Sequence, residues 1–144
     1  MSEQDTVKLL REGDAGIRMG VAAIDEVAEH AGDSEFRQIL LHSRERHRQL
    51  QHTLLQMLAR YGADGKEPAP AARGMSWIKT NAKLSLEKSD QTIADLVIDG
   101  CDMGVKSLHR YLNQYAAAAA DARELIGEVI RTEKELASAC YRYL

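Results

Sequence analysis

Residues 34–61, SEFRQILLHSRERHRQLQHTLLQMLARY, decide the fold. Turned at about 100° per residue, Phe36, Ile39, Leu40, Ser43, His47, Leu50, Leu54, Met57, Leu58 and Tyr61 fall within one sector of roughly 100°. Most of the rest of the circumference is Arg, Gln, Glu and His, so the stretch reads as an amphipathic helix with one buried face. Its ends carry the right chemistry. Asp33 can accept from first-turn amides, and Gly62 stands where a left-handed residue closes a helix.

Outward from this helix, residues 5–31 place Leu10, Ile17, Val21, Ile24 and Ala28 on a second stripe, bordered by Gly13 and Gly20. A glycine inside a helix costs about 1 kcal/mol relative to alanine, so two at one edge point to close approach by a neighbour. The link Ala31-Gly32-Asp33 is short enough to force an antiparallel hairpin. Gly62, Gly65, Pro68, Pro70 and Gly74 then mark a loop, and a short amphipathic helix is expected over about 75–87. Ser89 and Asp90 offer an N-cap to a helix over about 91–117, with Ile93, Val97, Gly100, Cys101, Gly104, Leu108, Tyr111 and Tyr115 inward. Its outer face holds Asp95, Asp99, Asp102, Lys106 and Asn113.

A fourth helix over about 121–143 carries Leu125, Val129, Leu136, Cys140 and Tyr143 inward. The alanine run 116–120 barely interrupts the apolar phase. One helix over 91–143, about 80 Å long and paired by a domain swap, is therefore an alternative. A turn near 118–121 is preferred, because Asp121 and Glu124 form a capping-box-like pair. The expected fold is all-α, a single domain over 1–144 made of two antiparallel hairpins joined by a crossover (62–90).

The chain holds 144 residues with 44% apolar and 28% charged, which fits one folded domain of ordinary size. A net charge of −3 speaks against a global attraction to nucleic acid or an anionic membrane. No run approaches the ~18 consecutive apolar residues of a membrane span. The opening Met-Ser-Glu-Gln-Asp is not the basic-then-apolar start of a secretory signal, and two cysteines make no disulfide framework. A reduced, cytoplasmic protein is expected.

The segments WIKTNAKL (77–84) and IDGCDMGVKSLHRYL (98–112) resemble the small bacterial ferritin-like proteins of unknown function, which share a tryptophan-bearing crossover helix and a Cys-acid-x-Gly segment in the third helix. The resemblance implies a ferritin-like four-helix bundle and no particular reaction. The wider superfamily, with ferritins and rubrerythrins, holds two irons between a Glu from each of two helices and Glu-x-x-His pairs on the others. This chain departs from that pattern. Glu45 is followed three residues later by Arg48, the fourth helix has no histidine, and the third turns glycines inward.

Two polar residues stand on inner stripes, His47 and Glu133, with Asp14 at a stripe's edge. They are the candidates for a reduced metal site for iron or another divalent ion, as in a metal-binding or oxidase-type ferritin-like protein. The alternative is a buried hydrogen-bonded pair that fixes helix register, or Glu133 neutralised by Arg18. Unpaired burial of either charge would cost several kcal/mol, so each needs a partner. His42, Glu45, Gln49 and His52 read as a solvated face, and Arg37, Arg44 and Arg48 as an outer basic row. That row could meet phosphates, but no aromatic ladder or helix-turn-helix accompanies it, so nucleic acid is disfavoured. Cys101 and Cys140 read as small apolar core residues. Trp77, Ile78, Leu84 and Leu86 pack over the bundle or form a dimer surface. The functional expectation is a non-catalytic bundle acting through self-association, a homodimer first, or a protein partner, with no cofactor.

Overall fold

The computed structural model describes residues 1–68 and 89–144. Among them, four long helices carry the chain and no strand forms: α1 (Glu3–Ala28), α2 (Ser34–Ala59), α3 (Asp90–Gln114) and α4 (Ala120–Cys140), closed by a 3-10 turn at Tyr141–Tyr143. None of these helices is long and apolar enough to cross a membrane.

Side-chain caps set three of the four starts. Ser2 Oγ accepts from the Asp5 amide at 3.1 Å, Asp33 from Glu35 at 3.3 Å and Ser89 from Thr92 at 3.1 Å, each cap contributing about 1 kcal/mol. Ser2 starts α1 two residues ahead of the expected position. The far end of α1 is earlier than expected, because His30 and Ala31 turn back onto the Val27 and Ala28 carbonyls in i→i+3 bonds. α2 ends at Ala59 rather than 61. Gly62 takes φ +63°, and the Ala63 amide reaches back across it to the Leu58 carbonyl.

The α3–α4 junction is a turn, so the continuous 91–143 helix and its domain swap are set aside. α3 stops at Gln114, three residues early, where Tyr115 leaves helical geometry. The expected Asp121–Glu124 capping box is absent. α4 begins at Ala120 with no side-chain cap, and Asp121 accepts instead from the adjacent Ala122 amide. α1 does the capping from across the bundle. The Ser2 amide donates to the Ala117 carbonyl at 2.6 Å, Asp5 accepts from Ala117 at 3.1 Å, and Thr6 from Ala119 at 2.8 Å.

At the opposite end, the Asp90 carboxylate accepts from both the Gly32 and Asp33 amides, at 2.8 and 3.0 Å. α3 therefore starts beside the α1–α2 turn, so α2 and α3 run parallel while α1 is antiparallel to both. α1 packs on α2 and α3, and α4 closes the bundle against α3, α2 and α1. After Gly62 the chain runs back along α1, where the Lys66 amide donates to Asp14 at 2.9 Å and Glu67 pairs with Arg18. The expected 75–87 helix, with Trp77, Ile78, Leu84 and Leu86, lies outside the described residues.

The apolar stripes meet in two clusters. One, near the α1–α2 turn, holds Ile24, Val27, Phe36, Leu40, Ile93 and Leu136; the other holds Leu9, Leu10, Ile17, Leu54, Leu58 and Ile126. Each fully buried side chain of this size contributes about 1.5–3 kcal/mol. Tyr143 extends the first cluster by stacking on Phe36 with centroids 4.1 Å apart. In the second, a methyl at Gly13 would sit 2.5 Å from Ile126 Cδ1, so the Ile126 side chain of α4 packs directly onto the α1 backbone there. That is the close approach the glycine implied.

Candidate functional site

Between the two clusters lies a polar layer built on α2. His47 follows Ser43 by one turn, which brings the imidazole Nδ1 to 2.7 Å from the Ser43 carbonyl and leaves Nε2 pointing across the bundle. There it meets Glu133 Oε1 on α4. Gly20 on α1 makes the room, since a methyl at that position would lie 3.3 Å from the ring. His47 is fully buried and the Glu133 side chain is 12% exposed.

Both imidazole nitrogens face acceptor oxygens, an arrangement satisfied by an imidazolium donating twice to a carboxylate and a carbonyl. The electrostatics agree in direction. Burial works to lower the His47 pKa, but the Glu133 hydrogen bond and charge, with the Ser43 carbonyl, together raise it above its ordinary 6.5. Burial first, then the nearby Glu133 carboxylate, push the Cys101 thiol on α3 far above its ordinary range. Cys140 rises to about 11 through burial alone. Both thiols are free, buried and held protonated, which makes them poor nucleophiles.

Glu133 faces a cavity of about 360 Å³ between α1 and α3. Ala15, Gly16, Gly20 and Ala23 form its α1 wall, and Gly100 and Gly104 open the α3 wall, with aliphatic side chains such as Ile24 and Val97 beside them. A methyl at Gly16 would meet nothing within 4 Å, and one at Gly104 would reach only Glu133, 3.5 Å from Oε2. The rim carries Glu12, Lys66 and Tyr111. Lys66 pairs with Glu12. Burial, then Glu12, raises the Tyr111 pKa, with Lys66 opposing.

Of the three residues singled out by sequence, His47 and Glu133 are thus brought together and Asp14 is not. Asp14 lies six residues before Gly20 on α1, about 9 Å along the axis. It is fully buried and accepts from Arg18 Nε at 2.9 Å, Gln51 Nε2 at 3.0 Å and the Lys66 amide. A methyl at Gly65 would collide with its Oδ2. Arg18 is accordingly committed to Asp14 and Glu67, not to Glu133. Among the described residues, no group of three or more His, Cys, Asp or Glu side chains is arranged to hold a metal ion.

His42, Glu45, Gln49 and His52 are exposed, as a solvated face requires. The basic row is not free: Arg37 donates to the Ala31 carbonyl, Arg44 pairs with Asp25 at 2.7 Å, and Arg48 lies 3.9 Å from the same carboxylate. Those partners on α1 and its turn were not visible in the α2 pattern. The sequence marks Cys101 only as a small core residue; its place beside Glu133 depends on the mutual register of α3 and α4.

No protein-family model matches the chain, and no curated protein matches it in sequence. In structure it is similar to a conserved hypothetical protein of Mycobacterium tuberculosis, known from a crystal structure. The TM-score is 0.74 at 15% identity, with both chains covered over 100% of their length. That likeness shows a shared fold.

Proposed function

We propose that this chain is a ferritin-like four-helix bundle acting as a non-catalytic binding protein, which takes a small apolar molecule into the cavity between α1 and α3. The observation that carries the reading is the cavity itself. Its size, about 360 Å³, suits a small-molecule site, and small-molecule sites combine apolar walls with a few convergent polar groups. Parallel α2 and α3 within two antiparallel hairpins support the ferritin-like assignment, since they require a long crossover. His47 supports a non-catalytic role, because both its nitrogens are engaged and neither is left as a base. A cytoplasmic setting fits two free, protonated thiols.

Calorimetric titration with toluene tests the reading. Saturable binding to the wild type, lost in Gly16→Leu, is expected; the same binding in both proteins, or none in either, contradicts it. A metal-binding role at His47 and Glu133 is the competing reading, and it predicts stoichiometric iron, manganese or zinc after anaerobic loading, abolished by His47→Ala. Self-association is also part of the proposal. Met19 and Met103, 39% and 61% exposed, offer apolar contacts on the two lips of the cavity. Sedimentation is expected to show a dimer that Met103→Glu dissociates; a wild-type monomer would remove this part.

A further inference from the structure

The strongest hydrogen-bonding group left at the cavity floor is an acceptor. His47 spends both N–H groups, on Glu133 and on the Ser43 carbonyl. A carboxylate offers about four lone-pair sites, and His47 occupies one of those on Glu133. Glu133 can therefore accept further hydrogen bonds, while the Cys101 thiol and the Ser107 hydroxyl beside the cavity are neutral donors. The charge is also balanced, with one imidazolium against one carboxylate. An anionic head group would meet the Glu133 charge with only neutral donors to hold it, and a cationic one would add a second positive charge beside His47. At the rim, Lys66 and Glu12 pair with each other and leave no unpaired charge there for a ligand's far end.

We infer that the cavity selects an apolar molecule bearing one neutral hydroxyl, an alcohol or a phenol, whose O–H donates to Glu133 while its hydrocarbon body fills the space beside Gly16 and Gly104. This rests on the reading of the cavity as a small-molecule site and adds the chemical class of its ligand. The acceptor is Glu133, His47 is the positioning residue that holds it, and the backbone exposed at the glycines supplies the room.

The test compares benzyl alcohol with ethylbenzene, which has the same shape with a methyl in place of the hydroxyl. Both are titrated into the wild type and into the His47→Leu/Glu133→Leu double variant. Replacing a buried pair by apolar residues of similar volume keeps such a core packed. Relative to ethylbenzene, benzyl alcohol is expected to lose about tenfold or more in affinity in the double variant, the scale of a hydrogen bond to a charged acceptor. Glu133→Gln, which conserves volume, is expected to lose part of the same preference. If both ligands bind and their affinity ratio is the same in all three proteins, the hydroxyl assignment is overturned while the cavity reading stands. Benzylamine or benzoate binding the wild type more tightly than benzyl alcohol also overturns it. Failure of every probe to bind overturns both.

Discussion

Asp14 and Glu133 each carry a carboxylate into the interior of the bundle, one from α1 and one from α4, and the chain puts them to different uses. Asp14 receives three donors from three segments, Arg18 on its own helix, Gln51 on α2 and the Lys66 amide of the returning chain, and Gly65 closes over it. Glu133 receives His47, with the Cys101 thiol beside it, and past them it faces open space bordered by Gly104. Donor count and available volume separate a structural pin from a binding group. Asp14 has three of about four acceptor sites filled and no room beside it, whereas Glu133 has both acceptor capacity and room.

The largest effect that would break this contrast is at Asp14. Asp14→Ala strands the Arg18, Gln51 and Lys66 donors, and about 3 kcal/mol or more of stability is expected to be lost, as when one partner of a buried charged network is removed. Urea denaturation reads this directly, and a loss below about 1 kcal/mol would mean that Asp14 is not a pin. Gly65→Ala comes next. Its methyl collides with the Asp14 carboxylate and comes within 2.9 Å of Leu55 Cδ2, so overpacking of about 1–3 kcal/mol is expected, and it should shrink in the Asp14→Ala background to what the Leu55 contact costs.

The Glu133 side of the comparison shows in pH dependence. His47 has its pKa raised in the folded protein, so the stability it contributes is fully present below its ordinary 6.5 and is lost as pH climbs through the higher folded value. The advantage of wild type over Glu133→Gln should therefore be greater near about pH 6 than near about pH 9, measured by urea midpoints at the two pH values. An advantage that grows with pH would contradict an imidazolium–carboxylate pair. The smallest effect is at Gly104. Its methyl would make only an ordinary contact with Glu133, so Gly104→Ala is expected to raise stability by about 0.5–1 kcal/mol through helix propensity while shrinking the cavity. A destabilised variant would show that the space is already filled.

The helices were legible because the period of 3.6 is a local property, and each stripe could be counted along its own segment. His47 and Glu133 were legible for the same reason, as polar residues on apolar stripes. Asp14 looked like their neighbour because it sits at a stripe's edge, yet two of its three donors come from a loop 52 residues away and from a different turn of α2. The arginine row had the same blind spot, since Asp25 lies on α1. α1 buries Leu9 and Val27 beside the expected stripe because it packs on α2, α3 and α4 together, so its buried face is wider than one sector. The cavity depends on the relative register of those helices. Its only trace in the sequence was glycine at i and i+4 on both walls, Gly16 with Gly20 and Gly100 with Gly104.

Nitrogen-resolved NMR of the wild type during titration with benzyl alcohol tests the central contrast most directly, because His47 reports on Glu133 and the Gln51 side-chain amide reports on Asp14. The His47 ring nitrogens are predicted to shift saturably while the Gln51 amide stays in place. Movement of both together, or of Gln51 alone, would contradict the division between an open carboxylate and a closed one.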